Sequence, residues 1–245
     1  MGCYRLTLEY DGTSFRGWQR LPNGVRTVQG RVEAALSEIF GQTVEISGSG
    51  RTDAGVHAKG QVASFHAPEQ PPELLLTRLR RALPEDIGAV SLEAAPERFH
   101  ARLCATEKTY LYRLWNSEEP DVFQRRFRAQ LAAPLDLEAM RAAAQKMTGT
   151  HDFLGFSANK HLKKSSVRTL RRIEIEREGS ELRFSLTADG FLYYMARILV
   201  GTLLEIGMGK RAPESIDEVF RCRDRALAGE TAPAKGLCLM EVRYD

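Results

Sequence analysis

The stretch GSGRTDAGVH, residues 48–57, is a glycine-rich loop between two segments with strand periodicity, residues 43–47 and 61–66. Its three glycines allow backbone conformations that other residues rarely adopt. A P-loop is excluded, because the residues that follow Gly55 are not the required Lys and Ser or Thr. A dinucleotide-binding loop is excluded as well, because the Gly-x-Gly at the start lacks its third glycine. We therefore expect a loop that presents side chains rather than one that cradles a phosphate.

Two charged residues, Arg51 and Asp53, lie in this loop. A carboxylate on a tight loop can act as a nucleophile or as a general base. The alternative is that Asp53 only caps a turn, as Asp does in many glycine-rich loops. Spacing alone leaves both interpretations open, because no second catalytic carboxylate and no Ser-His or Cys-His pair is evident nearby.

The chain on either side of the loop predicts an alternation of strands and helices. Residues 4–10 alternate apolar and polar side chains, which predicts a strand. Thr27 is a suitable N-cap for a helix whose apolar residues recur at helical spacing until Gly41. The other predicted elements are a helix over Pro72–Ala82, a strand over 103–115, a helix over 136–147, strands over 167–177 and 181–187, and a long helix from Gly190. The second half repeats the order of the first, and this predicts two duplicated α+β units.

The composition is that of an ordinary globular protein of 245 residues, with 43% hydrophobic residues, 27% charged residues and a formal net charge of +3. The four cysteines are scattered without zinc-site spacing, so we expect no metal site. The N-terminus lacks the pattern of a secretory signal, and the longest apolar stretch, residues 191–209, is interrupted by Arg197 and Glu205. We therefore expect a cytoplasmic protein without a membrane contact.

One run, residues 153–173, concentrates positive charge and contains no acidic residue. Its basic residues are Lys160, Lys163, Lys164, Arg168, Arg171 and Arg172. Such a run can bind phosphates, and it can equally be a solvated loop and strand face. Lys163, Lys164 and Arg168 are candidate substrate-binding residues on the first interpretation.

The segment GRTDAGVHA, residues 50–58, closely resembles the signature loop of the TruA-type tRNA pseudouridine synthases. Other blocks resemble that family in the same order along nearly the whole chain. They are YDGTSFRGWQ (10–19), KTYLY (108–112), FLYYMAR (191–197) with Gly201, and APAKGL (232–237). One position departs from the pattern, since Ile198 follows Arg197 where many relatives carry Asn.

This resemblance implies a fold of two similar α+β domains, each an antiparallel sheet with helices on one face, joined across a central active-site cleft. We expect residues 1–105 to form the domain that carries the catalytic-aspartate loop, and residues 106–245 to form the second. The implied reaction is the isomerisation of uridine to pseudouridine in tRNA by a homodimer, with no cofactor and no metal. Positions 38, 39 and 40 of the anticodon stem-loop are the targets associated with the family.

The resemblance also implies roles for individual residues. Asp53 matches the catalytic aspartate, and Arg197 matches the arginine that pairs with it, which would favour the ionised carboxylate and orient it. Tyr110 matches the tyrosine that stacks on the target uracil, although Tyr112 shares the same strand face. Arg51 could fill the gap left by an extruded nucleotide or hold a phosphate, and its alternative role is a turn-bracing salt bridge.

Two other functions stay open on the sequence. An RNA-binding module without catalysis would use the same basic run and aromatic residues, but it would not need Asp53, Tyr110 and Arg197 together. A glycosidase normally places two carboxylates across the scissile bond. His57 and His151 are better explained as hydrogen-bonded structural residues than as general bases.

Overall fold

The computed structural model describes residues 1–159 and 164–244. Within these residues the strands are β1 (Gly2–Tyr10), β2 (Ser47–Gly48), β3 (His57–Ala67), β4 (Ile87–Ala95), β5 (Ala105–Trp115), β6 (Ala129–Gln130), β7 (Gly149–Asp152), β8 (Val167–Glu178), β9 (Glu181–Ala188) and β10 (Leu237–Tyr244). The α-helices are α1 (Val28–Phe40), α2 (Pro72–Ala82), α3 (Leu137–Met147), α4 (Met195–Gly207) and α5 (Ser215–Cys222). The α+β class predicted from the sequence is confirmed.

Two compact units divide the chain. The first comprises Met1–Thr106 together with Cys238–Asp245, and the second comprises Glu107–Leu237. The predicted boundary between residues 105 and 106 differs from this division in the placement of the last strand. β10 pairs in parallel with β3, with Cys238 opposite His57 and Leu239 opposite Ala58. A pairing between segments so distant in sequence leaves no local pattern from which it could be predicted.

In the first unit, β1 lies between β3 and β4 and is antiparallel to both. The alternation predicted for this strand buries Leu6 and Leu8 completely. Helix α1 begins after Thr27, whose side chain accepts a hydrogen bond from the N–H of Gly30, and it ends at Gly41 in the left-handed conformation. The short strand β2 pairs with β3, so the loop of residues 49–56 leaves the sheet at Gly48 and returns to it at His57.

In the second unit, β9 lies between β5 and β8 and is antiparallel to both. Strand β7 pairs with the far edge of β8, and β6 pairs in parallel with β5. Helix α4 is buried over most of its surface, which accounts for its nearly continuous apolar sequence. None of the helices in the described residues is long and apolar enough to cross a membrane.

Two local predictions differ from the structure. Only Ser47 of the predicted strand over 43–47 pairs with the sheet. The last long helix begins at Met195 rather than at Gly190, because Tyr194 adopts the left-handed conformation (φ 63°, ψ 2°) and the N–H of Met195 closes a turn on the carbonyl of Leu192. The strands β4, β7 and β10 and the helix α5 were not predicted.

Candidate active site

The start of the loop of residues 49–56 is attached to β3 by buried hydrogen bonds. The Ser49 hydroxyl donates to Gln61 Oε1 at 2.7 Å, and Gln61 Nε2 donates to the carbonyl of Gly50 at 3.0 Å. The backbone N–H of Ser49 donates to the carbonyl of Val62 at 2.7 Å. Ser49 and Gln61 are both fully buried, so water does not compete for these bonds.

The middle of the loop is held through Thr52, the residue before the candidate carboxylate. Thr52 Oγ1 lies 2.8 Å from the hydroxyl of Tyr10, and the carbonyl of Thr52 accepts the N–H of Trp18 at 3.0 Å. Gln61 Nε2 donates to the Tyr10 hydroxyl at 3.4 Å, so this hydroxyl links Gln61 to Thr52. Burial raises the pKa of Tyr10, which keeps this phenol neutral. The backbone next to Asp53 is therefore fixed from two sides.

Asp53 itself is half-buried at a turn in which its own carbonyl accepts the N–H of Val56 at 3.1 Å. Gly55 takes a φ of +79°, a conformation in which a side chain would be strained. Gly48 serves a different purpose, because a Cβ there would lie 2.5 Å from the ring of Trp18. The loop thus combines a tight turn with a close packing contact, and Asp53 as a whole residue stays partly exposed.

The other charged residue of the loop, Arg51, is exposed. Among the described residues it forms no ion pair, so the turn-bracing salt bridge considered from the sequence is not found there. His57 is buried, and its Nδ1 accepts the N–H of Gly12 at 3.0 Å. His151 lies 3.1 Å through Nε2 from the carbonyl of Thr148 and stacks on Phe220. Both histidines make the structural contacts expected of them.

The two tyrosines of β5 lie on the same face and are both buried. The ring of Tyr110 packs edge-on against Phe191, with 5.0 Å between ring centres. Tyr112 is completely buried, and its hydroxyl has no hydrogen-bond partner among the described residues. Burial raises the pKa of Tyr112, and the positive charge of Arg197 offsets part of that rise.

Arg197 lies on the first turn of α4, and its side chain contacts Ala232 and Tyr194. Its Nε donates to the carbonyl of Ala232 at 2.8 Å, and its guanidinium carbon lies 4.7 Å from the centre of the Tyr194 ring. The backbone adds a third link, because the N–H of Ala232 donates to the carbonyl of Arg197 at 3.1 Å. The segment that carries Ala232 approaches α4 so closely that a Cβ at Gly201 would overlap the carbonyl of Glu230. The guanidinium of Arg197 therefore has a defined orientation, and its Nε is already hydrogen-bonded to Ala232.

The structure places the predicted site residues on both units: Asp53 and Arg51 on the first, Tyr110 and Arg197 on the second. Within the second unit, the segment that precedes α4 contacts both candidate side chains, through Phe191 at Tyr110 and through Tyr194 at Arg197. The pairing of Asp53 with Arg197 stays a prediction. Ala232, which anchors Arg197, was missed as a site residue, although it opens one of the family-like blocks.

The basic run is only partly described. Lys163 lies outside the described residues, and Lys164 is exposed. Arg168 is half-buried and donates through Nη1 to the carbonyls of Ser165 and Val167. Arg171 pairs with Glu107 at 3.1 Å and Arg172 with Glu174 at 3.3 Å, so their charges are balanced locally. Across residues 1–159 and 164–244, no group of three or more His, Cys, Asp or Glu side chains could hold a metal ion.

Comparisons with known proteins identify a matching family and several relatives. The sequence model of a family described as tRNA pseudouridine synthase matches residues 7–102 and 143–245. The chain is 45% identical over 241 residues to a tRNA pseudouridine synthase A 2 of Clostridium perfringens (strain 13 / Type A), with 98% of both proteins covered. It is 45% identical over 247 residues to a tRNA pseudouridine synthase A of Moorella thermoacetica, with 100% of both covered. A tRNA pseudouridine synthase A of Bacillus sp. (strain KSM-64) is 42% identical over 245 residues, again with full coverage.

Proposed function

We propose that this chain, which belongs to the tRNA pseudouridine synthase family, isomerises uridine in the anticodon stem-loop of tRNA with Asp53 as the catalytic carboxylate. The observation that supports the assignment most directly is the fixed placement of Asp53. Buried hydrogen bonds hold its neighbours Ser49, Gly50 and Thr52, while Asp53 itself stays partly exposed. A reacting group gains most when it is positioned before the substrate arrives.

The reaction breaks the N1–C1′ glycosidic bond, turns the uracil and forms a C5–C1′ bond. The C5 proton is lost and N1 gains a proton, so the product has the same composition as the substrate. Asp53 can attack C1′, attack C6 of uracil, or assist the loss of the glycosidic bond. Each route needs the ionised carboxylate, and none needs a cofactor.

The other residues serve this carboxylate and its substrate in the proposal. Arg197 pairs with Asp53 and fixes its direction, as its anchored guanidinium suits a bidentate partner. Tyr110 provides a face for the extruded uracil, and its phenol is suited to receive the C5 proton. Arg51, exposed in the loop, takes the place of the extruded nucleotide or holds a phosphate.

The proposed substrate is tRNA, with positions 38, 39 and 40 as the targets, and the proposed assembly is a homodimer acting in the cytoplasm. A net charge of +3 is small for a partner that carries one charge per nucleotide, so binding requires concentrated basic patches. A second copy of the chain would double each patch. Mapping pseudouridines in tRNA before and after treatment tests the positions, and sedimentation of the purified protein tests the dimer.

The rival function is RNA binding without catalysis. Tritium release from tRNA that carries C5-tritiated uridine separates the two, because only formation of the C5–C1′ bond expels the label. We expect stoichiometric release from the target uridines by the purified protein without added metal or cofactor. Binding of tRNA with no release of tritium would favour the binding module instead.

Tyr110 tests the role of the stacking face. We expect Tyr110→Phe to bind tRNA like the wild type and to lose about 10²- to 10⁴-fold in turnover if the phenol receives the C5 proton. Tyr110→Ala should weaken binding as well, because the ring is gone. Single-turnover kinetics and filter binding give the two quantities. Equal activity of wild type, Phe and Ala variants would remove Tyr110 from the site.

Tyr112→Phe is the matched control for this comparison. It removes a phenol from the same face of β5, but one whose buried hydroxyl lacks a partner among the described residues. We expect unchanged turnover and an equal or higher melting temperature, since loss of an unpaired buried hydroxyl relieves a desolvation cost of about 1 kcal/mol.

The basic run tests the path of the tRNA. Neutralising Lys163, Lys164 and Arg168 together should weaken tRNA binding and flatten its dependence on salt, since each neutralised phosphate releases condensed counterion. The rate at saturating tRNA should change little. A salt titration of tRNA binding measures the affinity and its dependence on salt. The control removes three paired charges elsewhere in the second unit, at Arg141, Lys146 and Arg221. Identical salt slopes for wild type and the first variant would show that the run is a solvated face.

A further inference from the structure

An aromatic column extends from Arg197 to an exposed side chain of the second unit. The guanidinium carbon of Arg197 lies 4.7 Å from the ring centre of Tyr194. The ring of Tyr194 stacks on that of Tyr193, with 4.0 Å between centres and 27° between planes. Tyr193 is 52% exposed, although a large aromatic side chain gains stability from burial. The column therefore ends in a ring that is half open to solvent.

This stack depends on a strained backbone. Neighbouring residues on a regular helix do not face each other, so an ordinary extension of α4 would separate the two rings. Tyr194 instead takes the left-handed conformation, with a φ of 63°. A residue with a Cβ rarely adopts this conformation, and residues that do so cluster where a ligand is bound.

Ala158 and Arg168, two described residues of the basic run, lie beside the same turn. The N–H of Ala158, near the start of the run, donates to the carbonyl of Tyr193 at 3.1 Å. A Cβ at Gly190, three residues before Tyr193, would lie 3.4 Å from Nε of Arg168. The guanidinium of Arg168 is itself steadied by the carbonyls of Ser165 and Val167. An exposed ring and a steadied cation thus flank one turn.

We propose that Tyr193 is a stacking platform for an unpaired nucleobase of the tRNA that neighbours the target uridine, with Arg168 at the adjoining phosphate. Proteins hold single-stranded RNA by combining aromatic rings, on which bases stack, with cations that bind the phosphates of the RNA backbone. A target uridine that leaves the stack deprives its neighbour of a stacking partner, and Tyr193 replaces that partner. This inference rests on the proposed function, because it takes tRNA as the substrate.

The first test compares tRNA affinity and turnover of Tyr193→Ala and Tyr193→Phe with the wild type. Tyr193→Ala should raise Kd and KM about tenfold with kcat within about twofold, and Tyr193→Phe should match the wild type, because stacking needs the ring and not the hydroxyl. Phe123→Ala is the matched control, since Phe123 is a 92% exposed aromatic residue of the same unit. Unchanged Kd and KM for Tyr193→Ala would overturn the proposal.

The second test identifies the base. Wild type and Tyr193→Ala are titrated with a series of tRNA transcripts in which each unpaired anticodon-loop nucleotide in turn is abasic. At one position beside the target, the abasic tRNA should bind the wild type about tenfold more weakly and should bind Tyr193→Ala no more weakly than intact tRNA. If Tyr193→Ala instead lowers the affinity for intact tRNA and for every abasic tRNA by the same factor, Tyr193 only packs on Tyr194.

Two further measurements keep the outcomes distinct. Tyr193→Leu retains apolar volume without an aromatic face, and it replaces Tyr193→Ala if the latter has a lowered melting temperature. We expect the same tenfold rise in Kd and KM for Tyr193→Leu. Tritium release by the wild type is measured in parallel. Absence of release would contradict the proposed function, whereas the binding cycle would still decide whether a base stacks on Tyr193.

Discussion

Asp53→Asn is expected to lower pseudouridine formation by about 10⁴-fold or more while tRNA affinity changes little. The amide has the shape of the carboxylate but lacks its charge and nucleophilicity, and loss of a catalytic nucleophile or its orienting carboxylate costs an amount of this order in other enzymes. The loop should keep its form, because the buried hydrogen bonds of Ser49, Thr52 and Gln61 remain in the variant.

The measurement is tritium release under single-turnover conditions, with tRNA binding determined on the same preparation. Asp53→Ala accompanies Asp53→Asn, because an asparagine can revert to aspartate by deamidation and mimic residual activity. Asp217→Asn removes an exposed carboxylate of α5 that pairs with Lys146 and should leave turnover unchanged. More than a few per cent of wild-type activity in Asp53→Ala would exclude Asp53 as the catalytic group.

Arg197→Lys is expected to reduce turnover by about 100-fold although the positive charge is retained. The lysine has no Nε–H to donate to Ala232 and no planar group to lie over Tyr194, so both anchors are lost. A displacement of about 1 Å in a positioning group is enough for an effect of this size. Affinity for tRNA should change much less.

The comparison variant is Arg221→Lys, which makes the same exchange at an exposed position of α5. The melting temperatures of both variants are recorded, so that a loss of turnover through partial unfolding of Arg197→Lys is recognised. Wild-type turnover in a folded Arg197→Lys protein would show that the planar, anchored guanidinium is not required.

The sequence predicts the elements whose signals are local. Thr27 and Gly41 mark the ends of α1, and the Pro72–Ala82 helix is found with the predicted bounds. It does not predict β10 in the first unit, because that depends on a pairing with β3 across the length of the chain. The late start of α4 was missed for a different reason: apolar periodicity continues through Tyr194, whereas the backbone turns there.

The residues of the candidate site also divide into those with a local sequence signal and those that depend on distant segments. Asp53 and Arg51 were singled out as candidates from one short loop, and the resemblance added Tyr110 and Arg197. The groups that hold them in place were not found, because each depends on contacts between distant segments. Gln61 supports the loop from β3, and Ala232 supports Arg197 from a segment 35 residues further along the chain.

The contact between Gly201 and Glu230 limits how this region can change through successive mutations. A single-base change that converts the Gly201 codon to one for alanine would add a methyl group where the carbonyl of Glu230 already lies. The segment would have to move away from α4, and Ala232 would move with it. Position 201 can therefore vary only together with the backbone path of residues 230–232, and a change at this glycine would alter the placement of Arg197 through Ala232.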